Sequence, residues 1–405
     1  MISLADIRSA ANEVLPITHR TPVLTCAGIE RRVPGGGVPL VFKAENLQRT
    51  GSFKIRGAYY RLSQLSAAER KRGVAAASAG NHAQGVALAA KLLGITATIY
   101  MPEFASIAKI KATEGYGAKV VLAGANFDEA VAACAAFVEQ SGAVYVPPYD
   151  DDAIIAGQGT LGLELLEDIQ DLESVVAPIG GGGLFAGLAV ALKESRPEVR
   201  LIGVQAETAD NAVRSFQAGK LLENTRAPET ICDGIAVKSP SPRTFEYIRK
   251  YADDVVPVTD MAVADALLLL LERAKLVVEP SGAAGLAAVL SGAAKPRGKT
   301  AIVLTGGNID SLRLADLTQR EMLRADRYLK LYTACGDFPG SLARLLAIIA
   351  AERGNVANVG HDRLSSHVAL GHTRVEFLIE VRDKAHGEKI IAAIAAAGYP
   401  INVSD

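Results

Sequence analysis

Lys54 stands in the stretch TGSFKIRG, residues 50 to 57, between Phe53 and Ile55, with Gly51 and Gly57 on either side. A lysine in apolar surroundings loses the water that stabilises its charge, so its amine becomes a candidate nucleophile or base. A snorkelling surface lysine is the alternative for this stretch taken alone. Four glycines, Gly180, Gly181, Gly182 and Gly183, follow the apolar run SVVAPI and precede LFAGLAVALKES. A strand, a turn without Cβ atoms and a helix start gather free N–H groups and the positive end of a helix around one point, which suits a phosphate. A flexible turn is the plainer reading, but ordering four consecutive glycines costs more chain entropy than such a turn requires. The spacing is not GxGxxG and no acidic residue follows at the distance a ribose needs, which argues against a nicotinamide cofactor.

Two further turns end apolar runs. SAGNHAQG, residues 78 to 85, places Ser78, Gly80, Asn81 and His82 where open α/β sheets bind ligands, and a carboxylate-bearing substrate fits there. Asn81 as a helix N-cap is the competing reading. LTGGNID, residues 304 to 310, contains Thr305, which is either a β-branched strand residue or a hydroxyl at the site. A phosphate turn, two polar turns and an apolar-flanked lysine are together what a pyridoxal phosphate enzyme requires.

The elements that must position these residues are readable from about residue 40 to 320. GVAAAS (73 to 78), ATIYMP (97 to 102), KVVLAG (119 to 124), SVVAPIG (174 to 180), RLIGVQAE (200 to 207) and TAIVLTGG (300 to 307) read as strands. NHAQGVALAAKLLG (81 to 94) and GLFAGLAVALKES (183 to 195) read as helices. This alternation predicts an α/β protein with helices packed on parallel strands. The polar run TQREMLRADR then separates it from a final segment in which Leu329 and Leu331 alternate and Asp337, Pro339 and Gly340 form a turn. An amphipathic helix follows from about 341 to 352, then a strand over 372 to 382 and a helix over 384 to 397, in a βαββαβ-like order.

In order and spacing, SFKIRGA, SAGNHAQGVA, GGGGL, ETICDGIAV, VEPSGA and TGGNID resemble the motifs of the serine/threonine dehydratase family of fold type II pyridoxal phosphate enzymes. The likeness spans residues 5 to 320. The last segment, with DFPGSLARLLAIIAAERGNV, is similar to an ACT domain, a small module that often binds amino acids. The resemblance implies a tryptophan synthase β-like catalytic domain of two α/β subdomains over 1 to 320, a linker over 321 to 328, and a ferredoxin-like α+β ACT domain over 329 to 405. It implies pyridoxal 5'-phosphate as cofactor, anchored by Lys54, with Phe53 against its ring and Asn81 at its 3-hydroxyl. Gly180, Gly181, Gly182, Gly183 and Leu184 would wrap the phosphate, Thr305 would meet the pyridine nitrogen, and Gly234 and Glu279 would line the other ring edges. Ser78, Gly80, Asn81 and His82 would hold the substrate carboxylate.

The reaction so implied is β-elimination and deamination of L-threonine to 2-oxobutanoate and ammonia, with L-serine to pyruvate as side activity. Lys54 would be the base, and the cofactor phosphate or a neighbouring water would protonate the departing hydroxyl. A hydroxyl at Thr305 makes a weaker electron sink than a carboxylate would, which favours prompt elimination over transamination. Ala79 replaces the serine that racemising relatives carry before the glycine, so racemisation is expected to be weak. Glu207 matches one acidic position of a cation site found in some relatives, but Val213 stands at a later one and only Asp210 is nearby, so no metal is expected. A dehydratase for serine or threo-3-hydroxyaspartate, or a non-catalytic amino-acid sensor, are the competing readings; a sensor has no use for Lys54. The ACT-like segment suggests control by isoleucine or, second, valine, and a homodimer or homotetramer, with a plain dimerisation module as the alternative. His361, His367 and His372 match no metal spacing and read as surface or loop histidines.

The 405 residues exceed one ordinary core, and 49% hydrophobic and 21% charged residues with net charge -1 fit a globular protein without the basic excess that attracts nucleic acid or anionic lipid. Cys26, Cys134, Cys232 and Cys335 form no CxxC, which points to reduced thiols. No signal-peptide core or membrane span is readable, so a cytoplasmic protein is expected.

Overall fold

The computed structural model describes residues 1 to 36, 38 to 363 and 369 to 403. The chain divides into two compact units, Met1–Asp310 and Ser311–Asp405. In the first, a six-stranded sheet runs in the order Val23–Leu24, Leu40–Lys43, Thr300–Val303, Ser174–Pro178, Arg200–Ala206, Asp254–Val258. All its pairings are parallel except the first. A four-stranded parallel sheet runs in the order Lys119–Leu122, Ala97–Met101, Val74–Ala77, Val144–Tyr145. The fold class is therefore the expected one, two α/β subdomains, and each of the six runs read as strands contains one.

The central strands Val74–Ala77 and Ser174–Pro178 are buried along their whole length and are continuous apolar runs rather than alternating ones. One core gathers Val175, Ala177, Phe185, Leu188, Leu201 and Val303; the other gathers Ile55, Leu62, Val74, Val86, Ile99 and Met101. Helices Lys54–Ser63 and Asp152–Asp168 cross closely at Gly157, where a Cβ would lie 2.7 Å from the Arg56 carbonyl oxygen. Any larger residue there would push the Lys54 helix off its seat.

The second unit has strand order Asn355–Asp362, His372–Glu380, Tyr328–Gly336, Ile401–Val403, all antiparallel. Helices Ser341–Ala351 and Lys384–Ala396 complete the βαββαβ order. Along Tyr328–Gly336 the residues Leu329, Leu331, Thr333 and Cys335 are buried and their neighbours are not, the period-2 pattern of a half-covered sheet. Leu331, Leu345, Ile349, Phe377, Ile390 and Ile394 fill the core beneath it. The division proposed at residue 320, with a linker over 321 to 328, is corrected: Ser311–Arg324 is one helix, it belongs to the second unit, and the next strand begins at Tyr328. Of the charges of TQREMLRADR, Arg320 and Arg324 lie at exposed positions of that helix and Glu321 is buried on it, so most of the run is helix rather than a loose connector. His361 and His372 are exposed on strands, and His367 lies outside the described residues. No helix among the described residues is long and apolar enough to cross a membrane.

Candidate active site

Lys54 opens the helix Lys54–Ser63, and the turn before it is tied to the strand end at Thr305. Phe53 N–H donates to the Thr305 carbonyl at 3.2 Å, and Ser52 and Gly306 form an isolated bridge. The segment that follows the strand Thr300–Val303 and the start of the Lys54 helix are thus coupled through adjacent residues on each side. Lys54 Nζ donates to the Pro148 carbonyl at 2.8 Å and lies 5.3 Å from the Phe53 ring centroid. Burial pushes the amine down to about 8, against the opposing pull of Glu279. In cofactor-free protein, reductive methylation of Lys54 should therefore show a midpoint near pH 8, against ~10.4 for an ordinary lysine. Labelling followed by peptide mapping over pH measures this, and a midpoint at the ordinary value would remove the depressed amine from the mechanism.

His82 lies in the first turn of the helix Asn81–Leu93, buried, with Nε2 2.9 Å from the Val146 carbonyl. A carbonyl only accepts, so Nε2 carries the proton. Burial, and then the charge of Lys54, push its pKa down to about 3, which keeps the ring neutral. The cap of this helix is Gly80, without a side-chain bond, so the reading of Asn81 as N-cap is corrected. The Asn81 amide is spent elsewhere: Nδ2 donates to Glu279 Oε1 at 2.7 Å, and Oδ1 accepts from Asn308 Nδ2 at 2.7 Å. Asn308 Nδ2 also reaches the Thr50 carbonyl at 2.7 Å. Ser78 Oγ accepts from Gly80 N–H at 3.2 Å. Burial pushes the Glu279 carboxyl up to about 7, and Asp233 adds to the rise.

The glycine turn packs against Tyr149. Gly182 has φ +88 and caps the helix Gly183–Lys193, whose first residues include buried Leu184. A Cβ on Gly181 would run into the Tyr149 ring, and one on Gly182 would lie 2.8 Å from Thr244 Cβ. Thr244 Oγ1 donates to the Gly181 carbonyl at 2.7 Å, so the turn is held from behind. Gly234 closes on it: a Cβ on Gly180 would stand 3.3 Å from the Gly234 carbonyl oxygen. Ser281, beside Gly234, has a buried hydroxyl without a hydrogen-bond partner. A cradle of unblocked backbone, a partnerless buried hydroxyl and a lysine amine of depressed pKa fit pyridoxal phosphate.

One shell of the site escaped sequence reading. Residues 146 to 149 supply the Val146 carbonyl to His82, the Pro148 carbonyl to Lys54 and the Tyr149 ring to the glycine turn. Asn308 and Ser281 lay inside TGGNID and VEPSGA and were findable there; nothing local marked VPPY. Asp210 pairs with Arg214 at 2.8 Å, and Val213 is buried on the helix Asn211–Ala218.

These elements fit one class, the α/β enzymes that use pyridoxal phosphate. The family model described as "Pyridoxal-phosphate dependent enzyme" matches residues 14–306, and the chain belongs to that family. It is 46% identical to the L-threonine ammonia-lyase of Thermotoga maritima over 403 residues, 100% of each chain. It is 46% identical to that of Geobacter sulfurreducens over 368 residues, 91% of each. Among solved structures, a T.th. threonine deaminase matches with TM-score 0.72 and 42% identity, covering 76% of this chain and 99% of that one. Maize serine racemase matches with TM-score 0.74 and 35% identity, covering 80% and 98%.

Proposed function

We propose that the chain is an L-threonine ammonia-lyase, or threonine dehydratase, which converts L-threonine to 2-oxobutanoate and ammonia and L-serine to pyruvate as a side activity. The observation that carries this is the Lys54 amine, lowered to about 8 and bonded to the Pro148 carbonyl, with the next residue, Tyr149, packed on the glycine cradle. Likeness over the full chain to relatives of that name supports the substrate.

Bound pyridoxal phosphate supplies the electron sink that acidifies the Cα–H of an amino acid. Lys54 anchors it and serves as the base for the Cα proton. Its depressed pKa leaves a useful share of neutral amine near neutral pH, and its hydrogen bond to the Pro148 carbonyl directs an N–H away and leaves the lone pair free. Neutral His82 keeps positive charge away from that amine. The turn from Ser78 to His82 receives the substrate carboxylate on backbone donors and the Ser78 hydroxyl. Ala79 offers no hydroxyl to return a proton on the opposite face, so elimination prevails over racemisation. Thr305, buried, would offer a neutral hydroxyl to the pyridine nitrogen of the bound cofactor.

Isoleucine, as end product of a pathway fed by 2-oxobutanoate, is the first effector proposed for the ACT-like unit, and valine the second; a homodimer or homotetramer in the cytoplasm is the accompanying reading. The test is incubation of the holoenzyme with L-threonine: 2-oxobutanoate and ammonia should form in equal amounts while the remaining threonine keeps its configuration. Absence of keto acid from threonine, with fast turnover of another hydroxy amino acid, sinks the assignment.

A further inference from the structure

The segment after the strand Thr300–Val303 carries a side chain that the proposed chemistry does not use, Asn308. That segment is stapled along the turn leading to Lys54: Phe53 N–H donates to the Thr305 carbonyl at 3.2 Å, and Gly307 N–H to the Gly51 carbonyl at 2.9 Å. The next staple is a side chain. Asn308 Nδ2 donates to the Thr50 carbonyl and to Asn81 Oδ1, each at 2.7 Å, which uses both of its N–H bonds. Gly51 leaves room for this amide, since its φ is +68 and a Cβ on it would lie 2.5 Å from Asn308 Oδ1.

These bonds have a direction. The Thr50 carbonyl only accepts, so the Asn308 group beside it is the NH2, and the same NH2 can only donate to Asn81. The Asn81 oxygen therefore faces Asn308, and Asn81 Nδ2 is turned to Glu279, where it donates to Oε1 at 2.7 Å. Glu279 alone would not fix this orientation. Its carboxyl is pushed up to about 7, so near neutral pH an accepting form and a protonated form able to donate to an amide oxygen are both populated. The Thr50 carbonyl does not titrate and decides between them. Asn81 Nδ2 keeps a second N–H that has no acceptor among the described residues. It lies beside the lysine: Gly85, one turn further along the same helix face, would place a Cβ 3.2 Å from Lys54 Cβ.

We infer that Asn308 is a positioning residue: anchored on the Thr50 carbonyl, it fixes the Asn81 amide with the nitrogen as donor, so that the second N–H serves the ionised 3-oxygen of pyridoxal phosphate. The inference rests on the reading that places Asn81 at that oxygen. A donor there favours the ionised oxygen over the neutral hydroxyl, whereas an amide turned round would face it with a carbonyl and favour the reverse. Asn308→Ala removes the guide. Asn308→Asp, nearly the same in shape, reverses it, because a carboxylate accepts from the Asn81 nitrogen and has nothing to donate to its oxygen.

The experiment removes and returns pyridoxal phosphate, and measures its affinity and the absorbance of the loaded protein. Wild type, Asn81→Ala, Asn308→Ala, Asn308→Asp and the double alanine variant are compared. Asn308→Ala should weaken cofactor binding by about three- to tenfold, the usual worth of one well-placed donor, and Asn308→Asp should weaken it more. In both, the visible band of the ionised cofactor should lose intensity to the near-ultraviolet band of the neutral hydroxyl form. Asn81→Ala should shift the bands in the same direction, and with Asn81 already replaced, Asn308→Ala should add nothing further. An unchanged band ratio in the two Asn308 variants overturns the inference. So does a full effect of Asn308→Ala in the Asn81→Ala background, because the loss would then come through the Thr50 staple and not through the amide. If Asn81→Ala itself leaves affinity and bands unchanged, the placement of Asn81 at the cofactor fails and the inference falls with it. Far-ultraviolet circular dichroism confirms that each variant compared is folded.

Discussion

Lys54→Ala should lower threonine turnover by about 10⁴-fold or more, because one substitution removes both the covalent anchor and the base for the Cα proton. The helix it opens should survive: alanine is a better helix former than lysine, and the ties that hold the turn are backbone bonds, from Phe53 N–H to Thr305 and between Ser52 and Gly306. The side-chain bond lost is only that to the Pro148 carbonyl. Three measurements separate chemistry from structure. Initial rates of 2-oxobutanoate formation give the loss; borohydride reduction and peptide mapping should place a pyridoxyl group on the peptide with Lys54 in wild type and nowhere in the variant; circular dichroism should coincide. An added small primary amine should restore part of the rate, since it returns a base without repairing a fold. A wild-type protein whose reduced cofactor maps elsewhere would overturn the assignment of Lys54.

Arg56→Met should cost about 3–5 kcal/mol of stability, the usual penalty for stripping one partner from a buried charge cluster. Two residues after Lys54, Arg56 has no exposed surface and grips Glu45 with Nε at 2.8 Å and Nη2 at 2.8 Å, while Nη1 reaches Glu164 at 2.7 Å. Lys43 Nζ, equally buried, lies 2.7 Å from the other oxygen of Glu164 and 3.0 Å from Asp168. Methionine would fill much of the volume and leave two carboxylates facing each other without the guanidinium between them. Burial alone would raise the Glu45 pKa, but the Arg56 guanidinium outweighs it and holds the carboxyl below its ordinary range. A folded pKa below the unfolded one gives stability that is present above the unfolded value of about 4.3 and is lost as pH falls through the folded value. The gap between variant and wild type should therefore be full at neutral pH and narrow in acid, where the orphaned carboxylates of the variant also protonate. Urea unfolding at pH 7 and pH 4 reads both effects. A gap below about 1 kcal/mol at pH 7, or one that widens in acid, would show that the cluster does not contribute in this way.

The same cluster shows where sequence reading stops. Lys43, Glu45, Arg56 and Glu164 are charged residues spread over more than a hundred positions, and each alone reads as surface. Only packing of the Leu40–Lys43 strand, the Lys54 helix and the Asp152–Asp168 helix brings them together out of water. The run TQREMLRADR was misread for a related reason. Polar composition marks exposure, and both a linker and the outer face of a helix are exposed; the continuous helix Ser311–Arg324 decides between them.

What the sequence by itself determined are the features that one turn of chain carries complete. Gly180 to Gly183 need no partner to be a phosphate turn, the apolar runs around them need only their neighbours to be buried strands, and Lys54 needs only its setting to be a marked amine. The order and spacing of these pieces then made the family legible. The tertiary structure decided what depends on segments distant along the chain. The Pro148 carbonyl reaches Lys54 from 94 residues away, the Glu279 carboxyl reaches Asn81 from 198, and Asp233 meets Lys109 from 124. Those meetings orient the base, spend the asparagine amide and join the two subdomains through a charge pair. They follow from the way two sheets and their crossing helices pack, which no local pattern encodes.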